Sequence, residues 1–65
     1  MTPAEFREAR EGLGLTGAEL AAVMGYGDRS RIYTIEARSV PPQAERLMRA
    51  YLAGYRPEDW PAGRD

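Results

Sequence analysis

Five polar or cationic side chains surround two isoleucines in the stretch Met24 to Arg38, MGYGDRSRIYTIEAR: Arg29, Ser30, Arg31, Tyr33 and Thr34. Ile32 and Ile35 stand three apart, the spacing of one helical stripe, so burying them turns the five outward or sideways. Such a set can read the edges of DNA bases. Arginine presents a planar fork that takes guanine O6 and N7 together, serine and threonine bond bases or phosphates, and a threonine methyl can touch the thymine methyl. Asp28 stands where it can cap a helix or orient an arginine.

A net charge of −1 over 65 residues argues against a polyanionic partner, but the distribution of that charge argues for one. Residues 1–28 hold two Arg against five acids, residues 29–56 hold six against two, and residues 57–65 hold one against three. The positive charge is gathered in the middle of the chain. All nine cations are Arg; a GC-rich genome gives that composition, and so does recognition of phosphate and guanine.

The composition also excludes classes of function. With no Cys and no His, the chain has no disulfide staple, no ordinary zinc site and no nucleophile-histidine pair. No constellation of acid, base and nucleophile can be assembled, so no enzyme, cofactor or catalytic residue is expected. Gly25-Tyr26-Gly27 has neither a preceding strand nor a GK[ST] sequel and is not read as a phosphate loop. Charges recur too often for any stretch to span a bilayer, and nothing resembles a signal peptide; the expected location is the cytoplasm. A chain of this length buries only about 60% of its unfolded surface, so help from a partner suits it.

The elements that must position the five side chains are short helices. Thr2-Pro3-Ala4-Glu5 and Thr16-Gly17-Ala18-Glu19 both have capping-box form. The first opens a helix from about Pro3 to Gly12, with Phe6, Ala9 and Leu13 on one face and Gly12 and Gly14 to end it. The second opens a helix from about Gly17 to Met24 that buries Leu20, Val23 and Met24; its Ala18, Ala21 and Ala22 are small, as a closely crossing neighbour requires. Gly27 or Asp28 caps a third helix running to about Ala37. Val40-Pro41-Pro42 forces an extended link into a fourth helix, with an apolar stripe of Ala44, Leu47, Met48, Tyr51 and Leu52, ended by Gly54. Residues 57 to 60 can add a final turn, and residues 61–65 are expected as a disordered tail.

A capped helix with small residues, a tight glycine turn and a short helix with one apolar stripe is the sequence form of a helix-turn-helix, whose second helix enters the major groove. Residues Leu13 to Arg38, LGLTGAELAAVMGYGDRSRIYTIEAR, resemble the Cro/repressor-type (XRE-like) helix-turn-helix family, most strongly in the GLT-x-AELA segment and the Ile-x-x-Ile-Glu end of the third helix. The resemblance covers about residues 3 to 55. It implies an all-α, compact four- to five-helix bundle of lambda-repressor-like type, a single DNA-binding domain over residues 1–60. By the same resemblance, Arg29, Ser30, Arg31 and Thr34 lie where the family reads bases, Thr16 and Gly17 where it meets the DNA backbone, and Arg38 and Ser39 in a loop that touches phosphate. By the resemblance, Arg10 and Glu36 match a pair in which a first-helix arginine bonds the glutamate closing the third helix; as bare sequence they read more readily as two solvated charges.

Two departures stand out. The family usually carries glutamine at the start of the second helix, where it supports the recognition helix and bonds phosphate, and this chain has Gly17. The turn from Gly25 to Asp28 is one residue longer than the common form, which leaves Tyr33 either facing DNA or packing on the scaffold.

Tyr51, Leu52, Tyr55 and Trp60 exceed what the last segment can bury alone, so a homodimer covering them is expected, with Trp60 folding onto the monomer core as the alternative. Arg46 and Arg49 are either phosphate contacts or a solvated face. The partners expected are double-stranded DNA and a second copy, with no membrane and no small-molecule effector. The function implied is transcriptional regulation, a repressor of a small phage or mobile-element operon in a Cro-like, antitoxin or anti-CRISPR-associated setting. The alternative is a helical protein-protein interaction module without DNA binding, which the acidic N-terminal third would suit.

Overall fold

The computed structural model describes residues 1–61. Four helices form, α1 (Pro3–Gly12), α2 (Gly17–Met24), α3 (Arg29–Ala37) and α4 (Pro42–Leu52), with no strand among the described residues. Their starts follow from local hydrogen bonding. In both capping boxes the threonine hydroxyl accepts the N–H of the third helical residue, Glu5 or Glu19 at 3.1 Å, and the glutamate accepts the threonine N–H, at 2.7 Å for Thr2 and 2.9 Å for Thr16. Two of the four unpaired N–H groups at each helix start are thereby satisfied. Asp28 caps α3, its carboxylate accepting from Ser30 N at 3.0 Å.

The ends matter as much for placing α3. Gly25 takes φ 86°, the left-handed conformation that a side chain disfavours. That single residue lets Gly25 N–H reach Ala22 O at 3.2 Å and Tyr26 N–H reach Ala21 O at 2.8 Å, closing α2 and reversing the chain within the turn. Gly14 ends α1 in the same manner.

The core takes one stripe from every helix. Phe6, Leu20, Ile32, Ala44 and Met48 are fully buried, with Leu15, Ala21, Ile35 and Tyr51 nearly so. At about 25 cal/mol per Å² of apolar surface removed from water, these side chains supply the main driving force for a chain of this size. α2 packs chiefly on α3, and α1 on α3 and α4. Polar bonds then tie the elements at defined points. Arg10 joins α1 to α3 through Glu36 and to the α1–α2 loop through Leu15 O at 3.0 Å. The Tyr51 hydroxyl donates to Val23 O at 3.3 Å, linking α4 to α2, and the Met1 ammonium donates to Glu45 at 2.7 Å.

Several expectations are corrected. Tyr51 serves the monomer core and not an interface between copies: it is 1% exposed, because α4 turns it inward with Ala44 and Met48. Trp60 folds back edge-on against Tyr51, ring centroids 5.2 Å apart at 66°, and is half-buried. Residues 57 to 60 add the one turn expected of them, closed by Trp60 N–H to Pro57 O at 3.0 Å. Ala18 and Ala22 are exposed; no helix crosses them, and of the three alanines only Ala21 is buried. Val23 and Met24 are half-buried. Of the expected tail, residues 62–65 lie outside the described residues.

Candidate nucleic-acid interface

α3 is held by its inner face alone. Ile32 and Ile35 are 0% and 2% exposed, and Arg29, Ser30, Arg31, Tyr33 and Thr34 are all exposed. At 100° per residue, Ser30 points most directly away from the isoleucines, with Tyr33 and Thr34 to either side of it and Arg29 and Arg31 on the two flanks. The Thr34 hydroxyl donates to Ser30 O at 2.9 Å. Its proton is thus spent within the helix, leaving oxygen lone pairs and a methyl group for any ligand.

The flanking arginines are available in different ways. Arg29 stands at the start of α3 beside an open groove of about 280 Å³, whose floor is Ala18, Ala21 and Ala22 and whose wall is the turn from Tyr26 to Asp28. Arg31 lies over the ring of Tyr26, its guanidinium carbon 5.7 Å from the centroid. Neither makes an ion pair among the described residues, and Asp28 spends its carboxylate on the helix cap instead of orienting an arginine. Arg38 and Ser39 follow α3 and are exposed, and Arg38 closes the helix through its N–H to Thr34 O at 3.0 Å.

Tyr33 reaches from α3 to the start of α2. It is 49% exposed, yet its ring and hydroxyl lie against Gly17, which they bury. The tyrosine therefore both packs on the scaffold and keeps an open face. Thr16 is exposed beside it; with its oxygen accepting the cap bond, its hydroxyl proton is still able to donate.

Arg10 and Glu36 sit behind this surface and form a two-point pair, Nε to Oε2 at 2.7 Å and Nη2 to Oε1 at 3.3 Å, with side chains 13% and 9% exposed. The hydrogen bond to Glu36 raises the Arg10 pKa above its ordinary value, against the opposing effect of burial. On α4, Arg49 is engaged by Glu45 at 3.0 Å within the helix, and Arg46 is exposed without an ion pair among the described residues. The acidic counterpart lies elsewhere, on the exposed Glu5, Glu8 and Glu11 of α1, with Glu11 bridged to Arg7 at 3.3 Å.

Two contacts had no sequence expectation attached. One is the Tyr26 ring under Arg31. The other is Arg56, whose guanidinium lies 4.4 Å from the Trp60 ring centroid and donates to the carbonyls of Tyr51 and Tyr55 at 2.8 and 2.9 Å. No local pattern signals the second, because residues 56 to 60 are not helical. Among the described residues, no group of three or more His, Cys, Asp or Glu could hold a metal, and no helix is long and apolar enough to cross a membrane.

No protein-family model matches the chain, and neither a curated protein nor a solved structure matches it. Function has to be argued from the surface itself.

Proposed function

We propose that the protein is a sequence-specific regulator that binds duplex DNA, with α2 and α3 as a helix-turn-helix and α3 in the major groove. One observation carries this reading. From Arg29 to Thr34 the outer surface of α3 is polar or cationic apart from the Tyr33 ring, its arginines make no ion pair among the described residues, and only its isoleucine stripe is buried in the core. Here Arg29 and Arg31 flank Ser30 and Thr34, the arrangement that base-edge recognition requires. Arg38, Ser39 and Thr16 supply backbone contacts around it.

A single α3 reads one half-site, so the active species is a homodimer on an inverted repeat, joined through the exposed Leu52 and Tyr55, and the outcome is repression of a small operon. A helical module that binds a protein instead is favoured only by the acidic outer face of α1. Selection of bound sequences from a random duplex pool at about 0.15 M salt separates the two, since nonspecific phosphate binding weakens steeply with salt. Enrichment of an inverted repeat is the expected result; failure to enrich any site would remove the DNA reading and leave the protein module.

A further inference from the structure

The turn between α2 and α3 carries one large side chain that the reading above leaves without a task. Tyr26 is half-buried against the core, its N–H is fixed to Ala21 O, Gly25 before it is set in the left-handed conformation, and two residues after it Asp28 caps α3. Both ends of the turn are therefore anchored to helix termini. Arg31, five residues further on, holds its guanidinium over the Tyr26 ring.

Two arginines of this protein show what the choice of partner does to the fork. Arg10 is met by Glu36 and by Leu15 O, which together take three of its five N–H donors and make it a structural group. Arg31 lies over a ring, its guanidinium carbon 5.7 Å from the Tyr26 centroid, with no carboxylate paired to it among the described residues. A ring contact spends no hydrogen bond to a carboxylate or carbonyl, so the N–H donors remain available to a ligand. It also restricts a long, flexible side chain before any ligand arrives, so less freedom is lost on binding.

We propose that Tyr26 is a positioning residue for base recognition: its ring holds Arg31 at the flank of α3 so that the free guanidinium edge meets a guanine. This inference rests on the DNA reading above, and its test is arranged to fail separately. Affinities are measured for the full chain and for Tyr26→Leu, Tyr26→Phe, Arg31→Ala and the Tyr26→Leu/Arg31→Ala double variant. The duplexes are the selected site and copies of it with each G·C pair replaced in turn.

Tyr26→Leu is expected to weaken binding to the selected site about two- to fivefold, the range of an exposed cation–ring contact. It should also lower discrimination at the same guanine that Arg31→Ala releases. Tyr26→Phe, which keeps the ring, should retain both properties, and Tyr26→Leu should cost nothing further once Arg31 is alanine. A tyrosine that only packs would change the melting temperature without moving base preference. If Tyr26→Leu does not fold, the proton shifts of the Arg31 side chain in the wild-type protein decide: ring-shifted Arg31 methylene protons are expected, and shifts equal to those of a free arginine would overturn the inference. Equal costs of Tyr26→Leu with and without Arg31, on a wild-type protein that does select a site, overturn it while leaving the DNA reading intact. A wild-type protein that selects no site overturns both.

Discussion

The Tyr33 ring occupies the space that a side chain at position 17 would fill: an ideal Cβ on Gly17 would stand 2.9 Å from Tyr33 Cε1 and 3.0 Å from its Cζ and hydroxyl oxygen. The two residues complement each other. The glycine at the start of α2 and the tyrosine on α3 are one local solution, in which a ring from α3 packs against the start of α2.

Gly17→Ala tests that relationship. The atoms in the way belong to the far end of a half-exposed side chain, so the ring can swing outward while the backbone stays. Alanine is also the better helix former by up to about 1 kcal/mol. Thermal unfolding is expected to shift by less than about 1 kcal/mol, while DNA affinity falls because the displaced ring stands between α3 and the groove. In a Tyr33→Ala background the same substitution should leave affinity unchanged. A loss of stability above about 2 kcal/mol would show instead that the ring is pinned.

Arg29→Ala and Arg31→Ala are each expected to weaken specific binding by roughly 1 to 3 kcal/mol if their forks meet base edges. Titration against both the selected site and random duplex distinguishes the contact made. Equal loss on the two would identify phosphate contacts, accompanied by a shallower dependence of affinity on salt.

The Arg10–Glu36 pair is nearly enclosed, so removing one partner strands the other. Glu36→Leu or Arg10→Met alone should cost about 3 kcal/mol in urea unfolding. That is a large share of the roughly 3 to 10 kcal/mol that a domain of this length has. The Arg10→Met/Glu36→Leu double variant should cost clearly less than the sum, because no unpaired charge remains. Additive losses would show two independent contacts.

Acid should unfold the protein through two glutamates. Thr2, first through its N–H and then its hydroxyl, holds Glu5 below the ordinary glutamate value, and the N-terminal ammonium followed by Arg49 does the same for Glu45. Both folded-state values lie below the unfolded one, so in acid the unfolded chain binds more protons. The stability they contribute is present above the usual value of 4.5 and is lost as pH falls through the lowered folded-state values. Glu5→Gln and Glu45→Gln together should flatten that acid limb in urea midpoints measured against pH. An unchanged slope would assign acid unfolding to other carboxylates.

The helix boundaries were legible because their signals are local. Thr2, Thr16 and Asp28 supply the starts and Gly14 and Gly25 the stops, and each acts within a few residues. The Ile32–Ile35 stripe likewise fixed the buried face of α3 by period alone. What could not be read were contacts between side chains distant in sequence. Tyr51 was assigned outward because a count of apolar residues after α4 cannot show that Trp60 folds back to cover it. Tyr33 could not be placed because its partner, Gly17, is defined by what it lacks. Arg31 over Tyr26 depends on the angle at which the turn delivers α3, which the length of the turn alone does not set.

Of the four apolar residues first considered for an interface between copies, two still present open surface: Leu52 at 53% and Tyr55 at 56% exposure. Tyr55 is backed by Tyr51, stacked at 6.1 Å and 8°, so its outer face is rigidly offered. The half-sites of an inverted repeat lie about 34 to 36 Å apart, the separation that a dimer joined here has to give its two α3 helices. Sedimentation of the wild-type chain should show dimer on the operator, and Leu52→Glu with Tyr55→Glu should give a folded monomer, since both side chains are more than half exposed. The paired variant should bind an isolated half-site as well as the parent does and lose only the gain from having two. A wild-type protein that sediments as monomer both free and on the operator would remove this interface, and the half-site would then be read by one copy alone.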